Sequence, residues 1–78
     1  MDTKHGTSIF TTTLSRDDEE GSVGLELQRR TNGETETVAR IVFWDAEGQF
    51  ALEMLVPELP LAVVEDLIRE AKASIPTG

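Results

Sequence analysis

Few side chains in this sequence could do chemistry, and their spacing limits what that chemistry can be. There is one histidine, His5, and there is no cysteine. Lack of cysteine rules out a disulfide framework, a thiolate metal site and a thiol nucleophile. His5 falls in Met1–Gly6, a stretch that reads as a flexible N-terminus, and a ligand or base needs rigid support. Asp17, Asp18, Glu19 and Glu20 form an acidic run. A calcium loop of the EF-hand kind takes ligands at alternating positions and closes on a distant Glu, so four acids in a row do not match it. The run is expected to be a solvated loop tip, with presentation to a basic partner, as an acidic inhibitor or nucleic-acid mimic would do, ranking lower. Glu26 and Glu53 could act as an acid–base pair, but each has an arginine available to neutralise it. No Gly-x-Ser-x-Gly occurs, and no glycine-rich loop opens a helix. The expectation is a protein that is not an enzyme and holds no cofactor and no metal.

Arg29, Arg30 and Arg40 are the one basic cluster. Beside Trp44 they could form a small stacking surface for single-stranded nucleic acid. Against this, seven Lys and Arg face fifteen Asp and Glu, a net charge of −8. That balance favours solubility and repels phosphate and anionic membranes. Neutralising Glu26, Glu34, Glu36 and Glu53 is the more economical role for these arginines.

The elements that must position these residues centre on Val38–Leu55, read as two strands around Asp45-Ala46-Glu47-Gly48. Asp at the entry and Gly at the end suit a four-residue loop built on a type I turn, Gly48 taking the final positive φ. This register pairs Trp44 with Gln49, Phe43 with Phe50, Ile41 with Leu52 and Ala39 with Met54. It also sets Arg40 opposite Glu53, a cross-strand ion pair worth about 0.2–1 kcal/mol. One face then carries Ile41, Phe43, Phe50, Leu52 and Met54. The other carries Val38, Val42, Trp44, Ala51 and Leu55, where a sheet with one wet face should show polar residues. These five form the expected interface.

Two more strands precede the hairpin. Thr7–Ser15 alternates and is rich in β-branched residues, with Phe10, Thr12 and Leu14 on one side; its threonines suit an edge or half-exposed position. Val23–Thr31 follows, with Val23, Leu25 and Leu27 inward. Asn32-Gly33 marks a turn, and two loops compete. A two-residue type I′ turn sets Leu25 opposite Arg40. A three-residue loop shifts the pairing by one and places Leu25 and Leu27 on the face of Ala39, Ile41 and Phe43. Burial favours the three-residue loop. Pro57 ends the last strand, Pro60 suits a first helical turn, and Leu61, Val64, Leu67, Ile68, Ala71 and Ile75 make a helical stripe. That stripe is expected to cover the Leu25, Ile41, Phe43 and Leu52 face. Glu65 and Asp66 precede Lys72, as the helix dipole prefers.

The fold class is therefore α+β: a four-stranded antiparallel meander followed by one C-terminal helix on one sheet face, in a single domain over 7–75 with a tail at 76–78. The order of four strands and then a helix is similar to that of single-stranded-DNA-binding transcriptional coactivators of the positive cofactor 4 type. The resemblance covers Thr7 to Ile75 as topology, with no motif matched residue by residue. It implies a dimer that binds single-stranded nucleic acid through a basic face with exposed aromatics, a part open here to Arg29, Arg30, Arg40 and Trp44 alone. The leading expectation is a small acidic protein-interaction domain, homodimeric through the Trp44 face, with another protein as a further partner. A chain of 78 residues buries only about 60–65% of its unfolded surface, and a dimer would supply the missing core. No apolar run nears the roughly 18 residues of a membrane span. No signal peptide opens the chain, and a cytoplasmic location is expected.

Overall fold

The computed structural model describes residues 1–19 and 21–75; Glu20 and the expected tail at 76–78 lie outside the described residues. The elements run β1 (Asp2–His5), β2 (Ser8–Asp17), β3 (Ser22–Thr31), β4 (Glu34–Trp44), β5 (Gln49–Met54) and α1 (Leu61–Ser74). The strands form one antiparallel sheet in the order β1-β2-β3-β4-β5. The α+β class, the meander and the single C-terminal helix are as expected; the strand count is five, not four. No helix among the described residues is long and apolar enough to cross a membrane.

The additional strand comes from the segment expected to be a frayed terminus. Asp2–His5 pairs with Ser8–Thr11, which makes β2 an interior strand. Little apolar surface in β1 marks it for burial. Backbone pairing holds it, together with Met1, whose side chain packs against the core and whose ammonium group donates to Thr12 Oγ1 at 2.9 Å and to Glu70 Oε1 on α1.

The β4–β5 hairpin has the expected register throughout, from Trp44 opposite Gln49 to Ala39 opposite Met54. Gly48 has φ +64°, and its N–H donates to the Trp44 carbonyl at 2.8 Å. The Arg40–Glu53 pair forms at 2.8 Å. Phe43 and Phe50 meet as tilted rings with centroids 5.1 Å apart, a favoured aromatic geometry.

The β3–β4 hairpin departs from the expected three-residue loop. Thr31 pairs with Glu34 across Asn32 and Gly33, whose φ values of +53° and +82° make a two-residue type I′ turn. Pairing keeps that register to Gln28 opposite Thr37, then shifts so that Leu27 faces Ala39 and Leu25 faces Ile41. Val38 is the extra residue of a bulge. In such a bulge two residues oppose one, and here Val38 and Ala39 are both fully buried on the helix side. Val38 thus leaves the Trp44 face on which strict alternation placed it.

The core lies between this face and α1. It joins Phe10, Leu25, Leu27, Val38, Ala39, Ile41 and Phe43 to Val63, Leu67, Ala71 and Ile75. The helix is rotated from the expected stripe. Val63 is buried where Val64 was expected, and Leu61 and Ile68 are 73% and 37% exposed. Pro60 caps the helix start, its carbonyl accepting from Val63 and Val64.

Two measurements follow. Val38→Ala should cost about 2 kcal/mol in denaturant unfolding, the loss of a buried aliphatic group plus the cavity left behind. A cost below about 0.5 kcal/mol, the usual range for an exposed site, would put Val38 back on the open face. The second concerns Glu70. Burial pushes its carboxyl up, but hydrogen bonds from the Met1 ammonium and the Thr12 hydroxyl, with the ammonium charge, outweigh this and hold it below the usual glutamate value. A depressed carboxyl stabilises the fold at pH values above its unfolded pKa, and that contribution is lost as pH falls through the folded pKa. Amide protection in β1 should therefore fall as pH drops below the usual glutamate range. Glu70→Gln should remove that pH dependence; its persistence in the variant would assign it to another group.

Candidate functional site

The five expected interface residues do not share one face. Val38 is in the core. Val42, Trp44 and Ala51 do lie together on the side away from the helix, because β4 alternates strictly beyond the bulge and pairs with β5 in register. Of these, Val42 is only 6% exposed and Trp44 is half-buried. Gly24 lies opposite Val42, and its missing side chain leaves room for the Arg40 stem, whose Cδ would stand 3.7 Å from a Cβ there. Methylenes of a long cation covering apolar surface in this way are a common arrangement. The Arg40–Glu53 pair crosses the same face, and Thr11, Thr13, Glu26 and Gln28 continue it. The face is mostly polar, with a small apolar spot at Val42, Trp44 and Ala51. Leu55, the fifth residue, is 51% exposed just beyond β5.

The arginines are also divided. Arg29 stands opposite Phe10 on the helix side and pairs with Glu36; Arg30 and Arg40 are on the other side. Arg30 is eight positions along β3 from Ser22, the partner of Trp44, or about 26 Å at strand rise. Of these three only Arg40 is near Trp44, and it is engaged with Glu53; Arg16, outside the expected cluster, lines a shallow polar pocket with Arg40 and Trp44. Asp17, Asp18 and Glu19 of the acidic run lie where β2 ends. Asp17 ends β2, its Oδ1 accepts from the Glu19 N–H at 3.1 Å, and the neighbouring β4–β5 loop joins it through Asp45 N–H donating to the Gly21 carbonyl. Among the described residues no group of three His, Cys, Asp or Glu is placed to hold a metal ion. His5 is exposed at the end of β1.

Apolar surface gathers elsewhere. The exposed large hydrophobic residues are Leu14, Leu52, Met54, Leu55, Leu61 and Ile68. All but Leu14 belong to β5, to the residue that follows it, or to α1. Between β5 and α1 runs an open groove of about 200 Å³, lined by Ile41, Phe50, Ala51, Leu52, Ile68, Ala71 and Lys72. Leu61 falls on the same flank of the helix as Ile68, since seven residues make almost two full turns.

The groove borders a free sheet edge. The Leu55 N–H donates inward to the Val38 carbonyl. Antiparallel alternation then turns Glu53, Ala51 and Gln49 inward as well, leaving the N–H and C=O of Phe50, Leu52 and Met54 facing outward. The two edges of the sheet differ in kind. β1 is four residues long and carries Asp2 and Lys4, a short charged strand of the sort that discourages further pairing. β5 has one charge in six residues, Glu53, and Arg40 compensates it. Sequence reading missed this edge because it treated Leu52 and Met54 as core under the helix together with Phe50; Phe50 does pack against the core, but Leu52 and Met54 stand open. The signal that could have found it was the position of β5 as the last strand, with no charge of its own left uncompensated.

No protein-family model, curated protein or solved structure matches this chain.

With the arginines divided between faces, single-stranded oligonucleotide should leave Trp44 emission unchanged even at low salt. A saturable quench that weakens as salt rises would restore the nucleic-acid surface.

Proposed function

We propose that this chain acts by binding polypeptide, and that β5 and the facing flank of α1 are its contact surface. The observation that carries the reading is the coincidence of a free strand edge with an apolar groove beside it. The edge supplies backbone donors and acceptors from Phe50, Leu52 and Met54, and the groove supplies surface for alternate side chains. Extended polypeptide uses this combination when it adds a strand to a sheet: main-chain hydrogen bonds give affinity, and pockets give selection. The Trp44 face offers less, because Val38 and Val42 are taken up in packing and the Arg40–Glu53 pair divides what remains.

A peptide-display selection against the whole chain, with peptides matching the six residues of β5, tests this. Selected peptides should shift the amide resonances of Phe50, Leu52 and Met54 and leave those of Thr13 and Gln28 in place. Leu52→Lys should weaken them by tenfold or more, about 1.4 kcal/mol. Binders that map to Trp44 and Thr13 instead would overturn the assignment.

A further inference from the structure

We infer that the occupant of this edge is a second copy of the chain, paired β5 to β5 about a twofold axis through Leu52. This rests on the reading of the β5 edge as a polypeptide contact, and three observations select the partner.

The first is register. Antiparallel pairing of identical strands must match outward-facing residues with outward-facing residues. Centring on Leu52 sets Leu52 against its own copy and Phe50 against Met54 of the second copy. All three outward-facing residues are then paired, and their side chains fall together on the helix side, where Leu52 and Met54 are 45% and 42% exposed.

The second is charge. In this register Glu53, the one charged residue of β5, faces Ala51 of the second copy. A shift of two residues toward the C-terminal end would set Glu53 against itself, and like charges directly opposed are unfavourable.

The third is the helix. A twofold axis normal to the sheet keeps both helices on the same face and runs them in opposite directions. α1 lies closest to β4, and β4 stands about three strand spacings, roughly 14 Å, from β4 of the second copy. That gap is too wide for helices in direct contact, which pack 8–10 Å apart, but long side chains span it. Phe50, Leu52, Met54 and Ile68 of both copies would fill it. On the same flank, Glu65 precedes Ile68 by three positions and Lys72 follows it by four. Antiparallel helices therefore bring Glu65 of each copy toward Lys72 of the other, so the flank is complementary to itself in charge as well as in shape. An isologous contact requires this self-complementarity.

The natural sequence lacks cysteine, so single-cysteine variants report the contact directly. Wild-type chain, sized by light scattering and by sedimentation near neutral pH and moderate salt, should show twice the 8.6 kDa chain mass. Leu52→Cys should oxidise to a covalent dimer, because paired Cα atoms on the axis stand about 5.5 Å apart, within disulfide range. Trp44→Cys and Thr13→Cys should not. Leu52→Lys, which places two ammonium groups on the axis, should give a folded monomer by circular dichroism. Crosslinking through Trp44→Cys but not Leu52→Cys would overturn the inference in favour of the open sheet face. A wild-type chain that stays monomeric up to about 1 mM would also overturn it. If that monomer's edge amides still take up selected peptides, the polypeptide-binding reading survives the loss of self-pairing; an edge inert to both would remove the two together.

Discussion

The bulge at Val38 is the constraint on which the sheet depends. Two local demands meet in the β3–β4 hairpin, and they disagree by one residue. Asn32 and Gly33 are the residue types a two-residue type I′ turn requires, and such a turn fixes the pairing as far as Gln28 and Thr37. Carried further, the same register would set Leu25 opposite Arg40 and turn Ile41 and Phe43 away from Leu25 and Leu27. A sheet side-chain period of two allows no intermediate solution. One extra residue in β4 absorbs the mismatch: beyond it Leu25 faces Ile41, Val23 faces Phe43, and the apolar residues of three strands reach one side. The bulge also turns Val38 inward, so the core gains a fully buried valine and the opposite face loses one.

What lies above that face follows from the same core. α1 has Val63, Leu67 and Ala71 buried, each four residues apart along one line of the helix. Its two flanks meet different surroundings. Glu70 reaches the Met1 ammonium beside β1 and β2, and so ties the N-terminal strand to the C-terminal helix. Ile68 and Lys72 look over the groove beside β5. One helix on a five-stranded sheet closes the core on the β1 flank, while apolar surface on the β5 flank stays open to solvent. In a chain of this length, where each apolar side chain is a sizeable share of the whole core, exposed Leu52 and Ile68 lining one open groove are a feature of the architecture rather than scatter.

Sequence reasoning succeeded where local chemistry and burial pointed the same way. In Val38–Leu55, turn residues, face pattern and the Arg40–Glu53 pairing agree, and the structure has that register at every pair. It failed where they conflicted or were silent. At Asn32-Gly33 it weighed turn type against burial as alternatives, although a bulge satisfies both. In Met1–Gly6 there was no pattern to read, because β1 is held by backbone pairing, a terminal charge and the one apolar contact of Met1 with the core rather than by an alternating apolar face. In α1 the stripe included Leu61 and Ile68 because periodicity marks apolar residues without saying what covers them. The same ambiguity displaced the candidate site. An unexpected apolar sheet face suggested a contact through Trp44, but Val38 belonged to the core; Leu55 does stand open as expected, whereas Leu52, Met54, Leu61 and Ile68, also open, had been assigned to the helix-covered side.

The contrast between the two edges of the sheet gives the remaining step. An open strand edge invites pairing, and natural sheets blunt such edges with short strands, charge or proline. β1 has the first two of these protections. β5 has neither, until Pro57 stops the chain three residues beyond its end. An unprotected edge left to itself is a route to open-ended association, because a heterologous contact need not close. Pairing of β5 with its own copy uses the same surface on both chains and leaves a β1 edge at each outer end of the combined sheet. The protected strands then become the only edges, and association stops at two. On this account the acidity of the chain works with its topology. A net charge of −8 on each copy discourages indiscriminate contact, whereas the one acid of β5 is already compensated by Arg40.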